Sequence, residues 1–240
     1  MPWLSRSSTN EVINRICDKI WLAVVQRTLR PGARLKEEEL TEIFATTRAR
    51  VRQALLILEQ DGLVTITPNR GACIAEPSVE DAQDAFCARI AIEQRLVARL
   101  CQTASAEDIR LLREHIDQER RAHERSDHEA VIRLSGEFHM LLAKLSGAEL
   151  LLRILRMLTI RTSLITAMYQ TAATQTCGPD EHDRILAAIE ARDALSASHE
   201  MAHHLHHLET ALRLSDAPTP VSGLREALAA VVPKRSPSSS

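Results

Sequence analysis

Apolar residues recur at helical spacing through the amino-terminal part of the chain. They predict three helices, over about residues 10–29, 36–44 and 47–61. Thr47 is suited to cap the third helix at its N-terminus, and Gly62 is suited to the left-handed position that follows it. The second and third helices are short and are joined by a brief turn, which is typical of a helix-turn-helix motif.

The pattern changes to that of short strands after the third helix. Two apolar runs, at 63–67 and 72–75, flank the turn residues Pro68-Asn69-Arg70-Gly71 and predict a two-stranded hairpin. A hairpin that directly follows a helix-turn-helix makes the predicted first domain, residues 1–76, a winged helix-turn-helix.

Helical periodicity returns after Pro77 and continues to about residue 214. It predicts about six helices, at roughly 78–102, 105–125, 127–146, 148–170, 180–192 and 194–214. Ser78 and Ser105 each stand three residues before an aspartate, which resembles a capping box. We therefore expect a mainly α protein with a winged helix-turn-helix, a small β-hairpin wing and a C-terminal all-α bundle.

Two further segments have distinctive patterns. The predicted helix over 148–170 is apolar on almost every side, which indicates burial in the bundle or at a subunit contact. The bundle domain is expected to span 77–214. Residues 215–240 are rich in proline and serine and predict a flexible tail, with a short helical stretch near 224–231.

Composition narrows the classes of function. Aromatic residues make up 2% of the 240 residues, which disfavours a base-stacking surface for single-stranded nucleic acid. No long apolar span and no apolar leader are found, so we expect a cytoplasmic protein with no membrane partner. The five cysteines include no C-x-x-C pair, which favours free thiols. The net charge is −2, but residues 1–76 carry a small basic excess.

Arginines cluster at the start of the third predicted helix, at Arg48, Arg50 and Arg52. Guanidinium groups on the solvent face of the second helix of such a motif suit bidentate pairing with guanine or with phosphate in the major groove. Arg70, at the hairpin tip, can reach the flanking backbone or the minor groove. The sequence predicts binding to double-stranded DNA. The alternative is a basic face that serves a winged protein-interaction module.

Three histidines lie on apolar helical stripes of the second region, namely His139, His182 and His204. A single histidine in such a place is more often a hydrogen-bonded core residue than a ligand. Three that converge would be satisfied together by a divalent cation, and imidazole suits zinc, nickel or manganese. An alternative is a metal-dependent hydrolase fused to a winged module. It is disfavoured because no H-E-x-x-H motif and no clearly placed general base accompany the histidines.

Residues 29–75 resemble the DNA-binding domain of GntR-type transcription regulators. The usual family sequence around the third helix is Ser-Arg-Thr-Pro-Val-Arg-Glu-Ala-Leu, and the chain matches it at Thr47, Arg48, Val51, Arg52, Ala54 and Leu55. It departs from that sequence at Ala49, Arg50 and Gln53. The resemblance implies that Thr47, Arg48 and Arg52 contact DNA and that Gly71 lets the wing approach it closely. Some members carry an arginine where Glu38 stands here, so that contact is not transferred.

The second region resembles the FCD ligand-sensing domain of FadR-type GntR regulators. The resemblance rests on Arg89-Ile90-Ala91-Ile92-Glu93, on Phe138-His139 through Gly147, and on Glu181-His182 through His204-Leu205. In metal-binding members an aspartate four residues before the first histidine completes the ligand set. Ser135 stands at that place here, and a neutral hydroxyl is a weak ligand. The site is therefore expected to hold a divalent metal on three histidines with open positions, to bind it more weakly, or to have lost it.

The same resemblance implies an effector pocket. The family arginine that matches Arg89 lines this pocket, so Arg89 is expected to pair with an anionic effector, most simply a small carboxylate. Arg161 and Tyr169 are further candidates for the pocket lining. By itself, the spacing of Arg89 and Glu93 also fits an ordinary salt bridge along a helix.

Together these expectations describe a transcription regulator and not an enzyme. A homodimer would read a pseudo-palindromic operator, since operator symmetry mirrors protein symmetry. Family habit favours a repressor whose operator affinity is controlled by the bound effector.

Overall fold

The structure is a computed structural model that describes residues 10–169, 178–212, 223–229 and 231–232, without the side chains at 128–129 and 167–169. The described residues form two compact units. One is drawn from residues 1–76 and 217–240, and the other from residues 77–216.

The first unit is a winged helix-turn-helix, as predicted. Its elements before the second unit are α1 (Glu11–Val25), β1 (Arg34–Leu35), α2 (Glu37–Ile43), α3 (Arg48–Gln60), β2 (Val64–Thr67) and β3 (Gly71–Ile74). The strands form an antiparallel sheet in the order β1-β3-β2, with Val64 opposite Ile74 and Leu35 opposite Ala72. The sequence predicted only the hairpin β2-β3. Strand β1 was missed because two residues are too short to display the alternation that marks a strand.

Helix α3 is stabilised at both ends as the sequence predicts. The hydroxyl of Thr47 accepts a hydrogen bond from the backbone N–H of Arg50 at 3.4 Å. Gly62, just after the helix, has a φ of +78°, a conformation that glycine adopts without steric cost. The buried residues of α3 share one face, and they are Val51, Ala54, Leu55 and Leu58. The arginines of α3 are consequently left on the opposite face, in solvent.

The described part of the second unit contains six helices, close to the predicted bounds. They are α4 (Val79–Thr103), α5 (Ala106–Glu124), α6 (His128–Leu145), α7 (Glu149–Tyr169), α8 (Pro179–Glu190) and α9 (Ala194–Thr210). Both predicted capping boxes are confirmed, because the hydroxyls of Ser78 and Ser105 bond to the backbone of Asp81 and Asp108, whose carboxylates bond back.

Helix α4 lies at the centre of this bundle. It packs along α9 and also contacts α6, α7 and α8. The main apolar cluster includes Leu100, Phe138, Ile185 and Met201, all at most 1% exposed. Polar residues on the inner face of α4 are therefore carried into the interior of the bundle. Across the described ranges, no helix is both long and apolar enough to cross a membrane.

Helix α7 is less buried in this chain than its nearly continuous apolar sequence suggests. Leu155 and Leu164 are in the core, at 0% and 1% exposed. Leu150, Ile154 and Met157, spaced along one face, are 61%, 37% and 42% exposed. The bundle thus covers one side of α7 and leaves an apolar stripe open. Whether a second subunit covers that stripe stays a prediction.

A short helix, α10 (Leu224–Ala229), lies within the stretch that the sequence indicates as a tail. It packs against α1 and α2 of the winged unit. Leu224, Ala227 and Leu228 are at most 8% exposed, and Arg225 pairs with Glu42 of α2 at 2.5 Å. The periodicity of six residues is too brief to reveal this contact from the sequence.

We expect Leu228→Ala to destabilise the winged unit by about 2–4 kcal/mol, because the side chain is fully buried and its removal leaves a cavity. Chemical denaturation of the full chain measures this loss. Leu195→Ala is the matched control, since Leu195 is 83% exposed and its truncation should cost less than about 0.5 kcal/mol. Equal unfolding midpoints for the two variants would show that α10 does not stabilise the unit.

Candidate functional site

Three helices of the second unit bring His139, His182 and His204 together. These residues lie on α6, α8 and α9, and each is at most 1% exposed. The Nε2 atom of His204 is 3.2 Å from Nε2 of His139 and 3.3 Å from Nε2 of His182. The ring of Phe138 stacks on that of His182, with the ring centroids 3.9 Å apart. The three residues proposed from sequence as metal ligands therefore form one buried cluster.

Each imidazole of this cluster is held from behind by a carboxylate. Nδ1 of His139 bonds to Glu93 of α4, Nδ1 of His182 to Glu119 at 2.6 Å, and Nδ1 of His204 to Glu181 at 2.8 Å. An ionised carboxylate only accepts hydrogen bonds, so each Nδ1 carries the proton and each Nε2 presents a lone pair.

Three lone pairs that face one another at such distances cannot hydrogen-bond among themselves. Their close approach is electrostatically unfavourable, and a cation placed between them would satisfy all three. In metal sites, the outer N–H of a ligating histidine is commonly donated to a carboxylate, which orients the ring. The donor set of His139, His182 and His204 thus fits a divalent metal.

Burial and neighbouring charges shift the pKa values of His139, His204 and Glu93 so that the two imidazoles are neutral and the carboxylate is charged. Burial lowers the pKa of His139 to about 4 and that of His204 to about 3, although Glu93 and Glu181 oppose the shift. Burial alone would raise the pKa of Glu93, but Arg89 and His139 outweigh it and bring it to about 2. A neutral imidazole is the form that binds a metal.

The three carboxylate partners were not identified from the sequence, although each leaves a signal there. Glu119 continues the helical spacing of Leu112 and Ile116, and Glu93 occupies a core-facing position of α4. Glu181 directly precedes His182. A charged residue on an otherwise apolar stripe is rarely buried without a partner. That rule could have identified the three glutamates as partnered residues. It could not have predicted which histidine each of them contacts.

A small cavity of about 70 Å³ adjoins the histidine cluster. Its lining includes Arg89, Ser135, His139 and Thr159. Arg89 is 3% exposed, and it donates from Nε to Glu93 at 2.7 Å and from Nη1 to Thr162 at 2.9 Å. Nη2 of Arg89 and Oγ1 of Thr159 are buried without a hydrogen-bond partner among the described residues. Unsatisfied buried donors beside a cavity are what an anionic ligand needs.

The other predicted effector residues are not brought into this cavity. Arg161, on α7, donates to Asp81 in the first turn of α4 at 2.6 Å and is absent from the described cavity lining. The side chain of Tyr169 lies outside the described residues. Ser135, which stands at the place of the family aspartate, does line the cavity together with His139.

The arginine surface of the first unit is exposed. Arg48 and Arg52 have side chains that are 60% and 66% exposed, and Arg50 is exposed between them. Arg48 pairs with Glu38, and Nε of Arg52 lies 2.9 Å from both carboxylate oxygens of Glu37.

A groove of about 440 Å³ separates α3 from the wing. Arg34, Arg52, Arg70 and Gly71 are among its lining residues. Gly71 has a φ of +81°, and a Cβ there would meet nothing within 4 Å in the described part of the chain. The predicted DNA-contacting residues Arg52, Arg70 and Gly71 thus share one open, basic groove.

Comparison with known families assigns both units. Residues 11–74 match the family described as bacterial regulatory proteins, gntR family, and residues 84–207 match the FCD domain. Among solved structures, that of McbR/YncC from E. coli has a TM-score of 0.71 at 20% identity, over 82% of this chain and 95% of that one. This likeness supports the fold.

Two curated relatives extend the assignment. The HTH-type transcriptional repressor RspR of Escherichia coli (strain K12) is 25% identical over 79% of this chain and 84% of its own length. The HTH-type transcriptional regulator YdhC of Bacillus subtilis (strain 168) is 30% identical over 50% of this chain, and the chain spans about half, 54%, of that relative. The chain therefore belongs to the GntR family of bacterial regulatory proteins, as a DNA-binding transcriptional regulator with a C-terminal FCD domain.

Proposed function

We propose that this regulator is a cytoplasmic homodimeric repressor whose operator affinity changes when a small carboxylate binds beside a divalent metal in the second unit. The observation that carries the proposal is the set of three buried Nε2 atoms, each with its Nδ1 held by a carboxylate. The matching family and the relatives are transcriptional regulators, which supports a sensing role for this site and not a catalytic one.

His139, His182 and His204 would hold the metal. Three imidazoles suit zinc or nickel more than manganese, which prefers oxygen ligands. The cation would supply positive charge and open coordination positions for a carboxylate oxygen. Ser135 brings a hydroxyl where the family aspartate would bring a charge, so the protein ligands are three neutral groups. An anionic effector would then balance more of the metal charge than in members that retain the aspartate.

The cavity beside the cluster defines the class of effector. Arg89 offers its unsatisfied Nη2, and Thr159 offers a hydroxyl, so one end of the ligand would be a carboxylate held by hydrogen bonds. A cavity of about 70 Å³ admits few non-hydrogen atoms. We infer a short-chain carboxylate that bridges Arg89 and the metal.

The link from effector to DNA would run through α4. Arg89 and Glu93 lie on that helix, and Glu93 bonds to both Arg89 and His139. A ligand that pairs with Arg89 would compete with Glu93 for the guanidinium and so bias the placement of α4. Helix α4 begins at Val79, directly after the winged unit in the chain. Its displacement would change how the two winged units of a dimer are spaced on an operator.

The DNA contacts would come from α3 and the wing. Thr47, Arg48, Arg50 and Arg52 would enter the major groove, while Arg70 and Gly71 would approach the flanking backbone. Two copies would read a pseudo-palindrome. The exposed apolar stripe of Leu150, Ile154 and Met157 supports a homodimer, since solvent exposure of such residues is unfavourable.

We expect Arg48→Ala and Arg52→Ala each to weaken binding to the preferred operator by about 1–3 kcal/mol, or about 5- to 150-fold, because each removes a bidentate base contact. Fluorescence anisotropy with duplexes selected from the genome of origin measures the affinity. Arg125→Ala is the matched control, since Arg125 is an exposed arginine at the end of α5. Unchanged affinity in both α3 variants would reject α3 as the recognition helix.

We expect protein purified without a His tag to contain about one divalent ion per chain, and His139→Ala, His182→Ala and His204→Ala to lose it. Elemental analysis measures the content, and circular dichroism checks that each variant folds. His206→Ala is the control, because His206 is exposed on α9 next to the cluster in sequence. Glu119→Gln should bind metal about 10- to 100-fold more weakly through loss of its partner on His182. Equal metal content in all of these proteins would contradict the site.

We expect at least one carboxylate of two to six carbons to raise the melting temperature of metal-loaded wild type, because a ligand that binds the native state stabilises it by about 2.7 kcal/mol at 100 times its Kd. Arg89→Lys should lose this shift, since the single ammonium of lysine does not reproduce the planar fork with which Arg89 contacts Glu93 and Thr162 and faces the ligand. Arg161→Lys should keep it, because Arg161 pairs with Asp81 outside the described cavity lining. A shift that survives in Arg89→Lys would place the effector elsewhere.

A further inference from the structure

Three consecutive acidic residues open α2, next to the arginines of α3. They are Glu37, Glu38 and Glu39. Carboxylates close to a surface that binds DNA repel the phosphates, so they lower affinity unless they serve another purpose. The side chain of Glu38 is 74% exposed, which makes this repulsion direct.

Two of these acids are bonded to α3, and the third is not. Nε of Arg52 donates to Glu37 at 2.9 Å, and Nη2 of Arg48 donates to Glu38. Glu39 instead pairs with Lys36 at 2.7 Å. The first turn of α2 therefore bonds to α3 at two positions, Arg48 and Arg52, which lie one helical turn apart.

These bonds leave other N–H groups of both guanidiniums available to pair with bases. Arg52 uses only Nε, so its two terminal nitrogens have no hydrogen bond within the described ranges. Arg48 uses one terminal nitrogen, and its remaining N–H groups are likewise without a partner there. A guanidinium has five N–H donors, so it can be held at one edge while another edge pairs with O6 and N7 of guanine.

We propose that Glu37 and Glu38 are positioning residues that determine the base specificity of this regulator by orienting Arg52 and Arg48 toward guanine. The proposal rests on the proposed role of α3 as the recognition helix. An unrestrained arginine has many rotamers, and part of this entropy is lost before binding when a carboxylate orients the side chain. The same carboxylates repel phosphates at every sequence. This repulsion lowers the affinity for every duplex alike, so only the orientation of the two arginines raises the ratio of specific to non-specific affinity.

Arg50 provides an internal contrast. It is exposed on α3, and its side chain has no hydrogen bond in the part of the chain that the structure describes. An arginine free to reorient suits phosphate, which accepts bonds from many directions, more than a base edge. Selectivity should therefore depend on Arg48 and Arg52, and overall affinity on Arg50 as well.

The test compares Glu37→Gln and Glu38→Gln with Glu39→Gln. All three remove one negative charge from the same turn, but the described ion pair of Glu39 is with Lys36 and not with α3. Affinities for a duplex selected from the genome of origin, and for an unrelated duplex of equal length, are measured across a range of salt. We expect all three variants to bind the unrelated duplex a few-fold more tightly. Only Glu37→Gln and Glu38→Gln should lower the specific to non-specific ratio, by about 5- to 50-fold.

A double-mutant cycle separates positioning from charge. In an Arg48→Ala background, Glu38→Gln should leave the ratio unchanged, because the arginine that it orients is gone. Two results would overturn the inference without affecting the role of α3 as the recognition helix. One is a wild-type ratio of specific to non-specific affinity in both Glu37→Gln and Glu38→Gln, and the other is an equal fall of that ratio in Glu39→Gln. A wild type that selects no duplex at all would overturn the proposed function and this inference together.

Discussion

The second unit is organised around the buried Nε2 atom of His204, which lies 3.2 Å from that of His139 and 3.3 Å from that of His182. A cation placed among these nitrogens would satisfy their lone pairs together. Four helices contribute to the arrangement besides α4, because α6, α8 and α9 supply the imidazoles and α5 supplies Glu119. The packing of the bundle therefore serves the cluster as well as the apolar core, and the proposed metal would stabilise the fold and the site together.

Arginine–glutamate pairs occur both in the interior of the second unit and on the surface of the first, and their energetics differ. Arg89 and Glu93 are 4% and 1% exposed, so their bond is made in a low dielectric, and losing either partner would leave a buried charge. Arg48 and Glu38 are largely exposed, so their pair contributes little to the stability of the fold. A strong buried pair suits a sensor that must stay assembled. An exposed pair suits a surface on which the carboxylate orients an arginine whose other N–H groups face DNA.

Glu93 connects the two parts of the proposed sensor. It accepts from Arg89 on the cavity side and from His139 on the cluster side. A ligand at Arg89 and a cation at the histidines would each change the charge that Glu93 experiences, so their binding would be coupled through one carboxylate. Arg89 and Glu93 lie on α4, and His139 bonds to Glu93. Helix α4 follows the winged unit in the chain, so a shift of this helix would be carried along the backbone toward the DNA-binding unit.

Periodicity, caps and turn residues determined the order of the helices, the hairpin wing, the capping of α3 by Thr47 and the inward face of His139, His182 and His204. These features depend on neighbours within a few positions, so one sequence suffices to predict them. Tertiary structure alone decided that Glu93, Glu119 and Glu181 hold the histidines, that Arg161 meets Asp81 and not the cavity, that β1 pairs with β3, and that α10 returns to α1 and α2. Each of these contacts joins residues far apart in the chain, and a local pattern reports which face is buried but not which distant residue meets it.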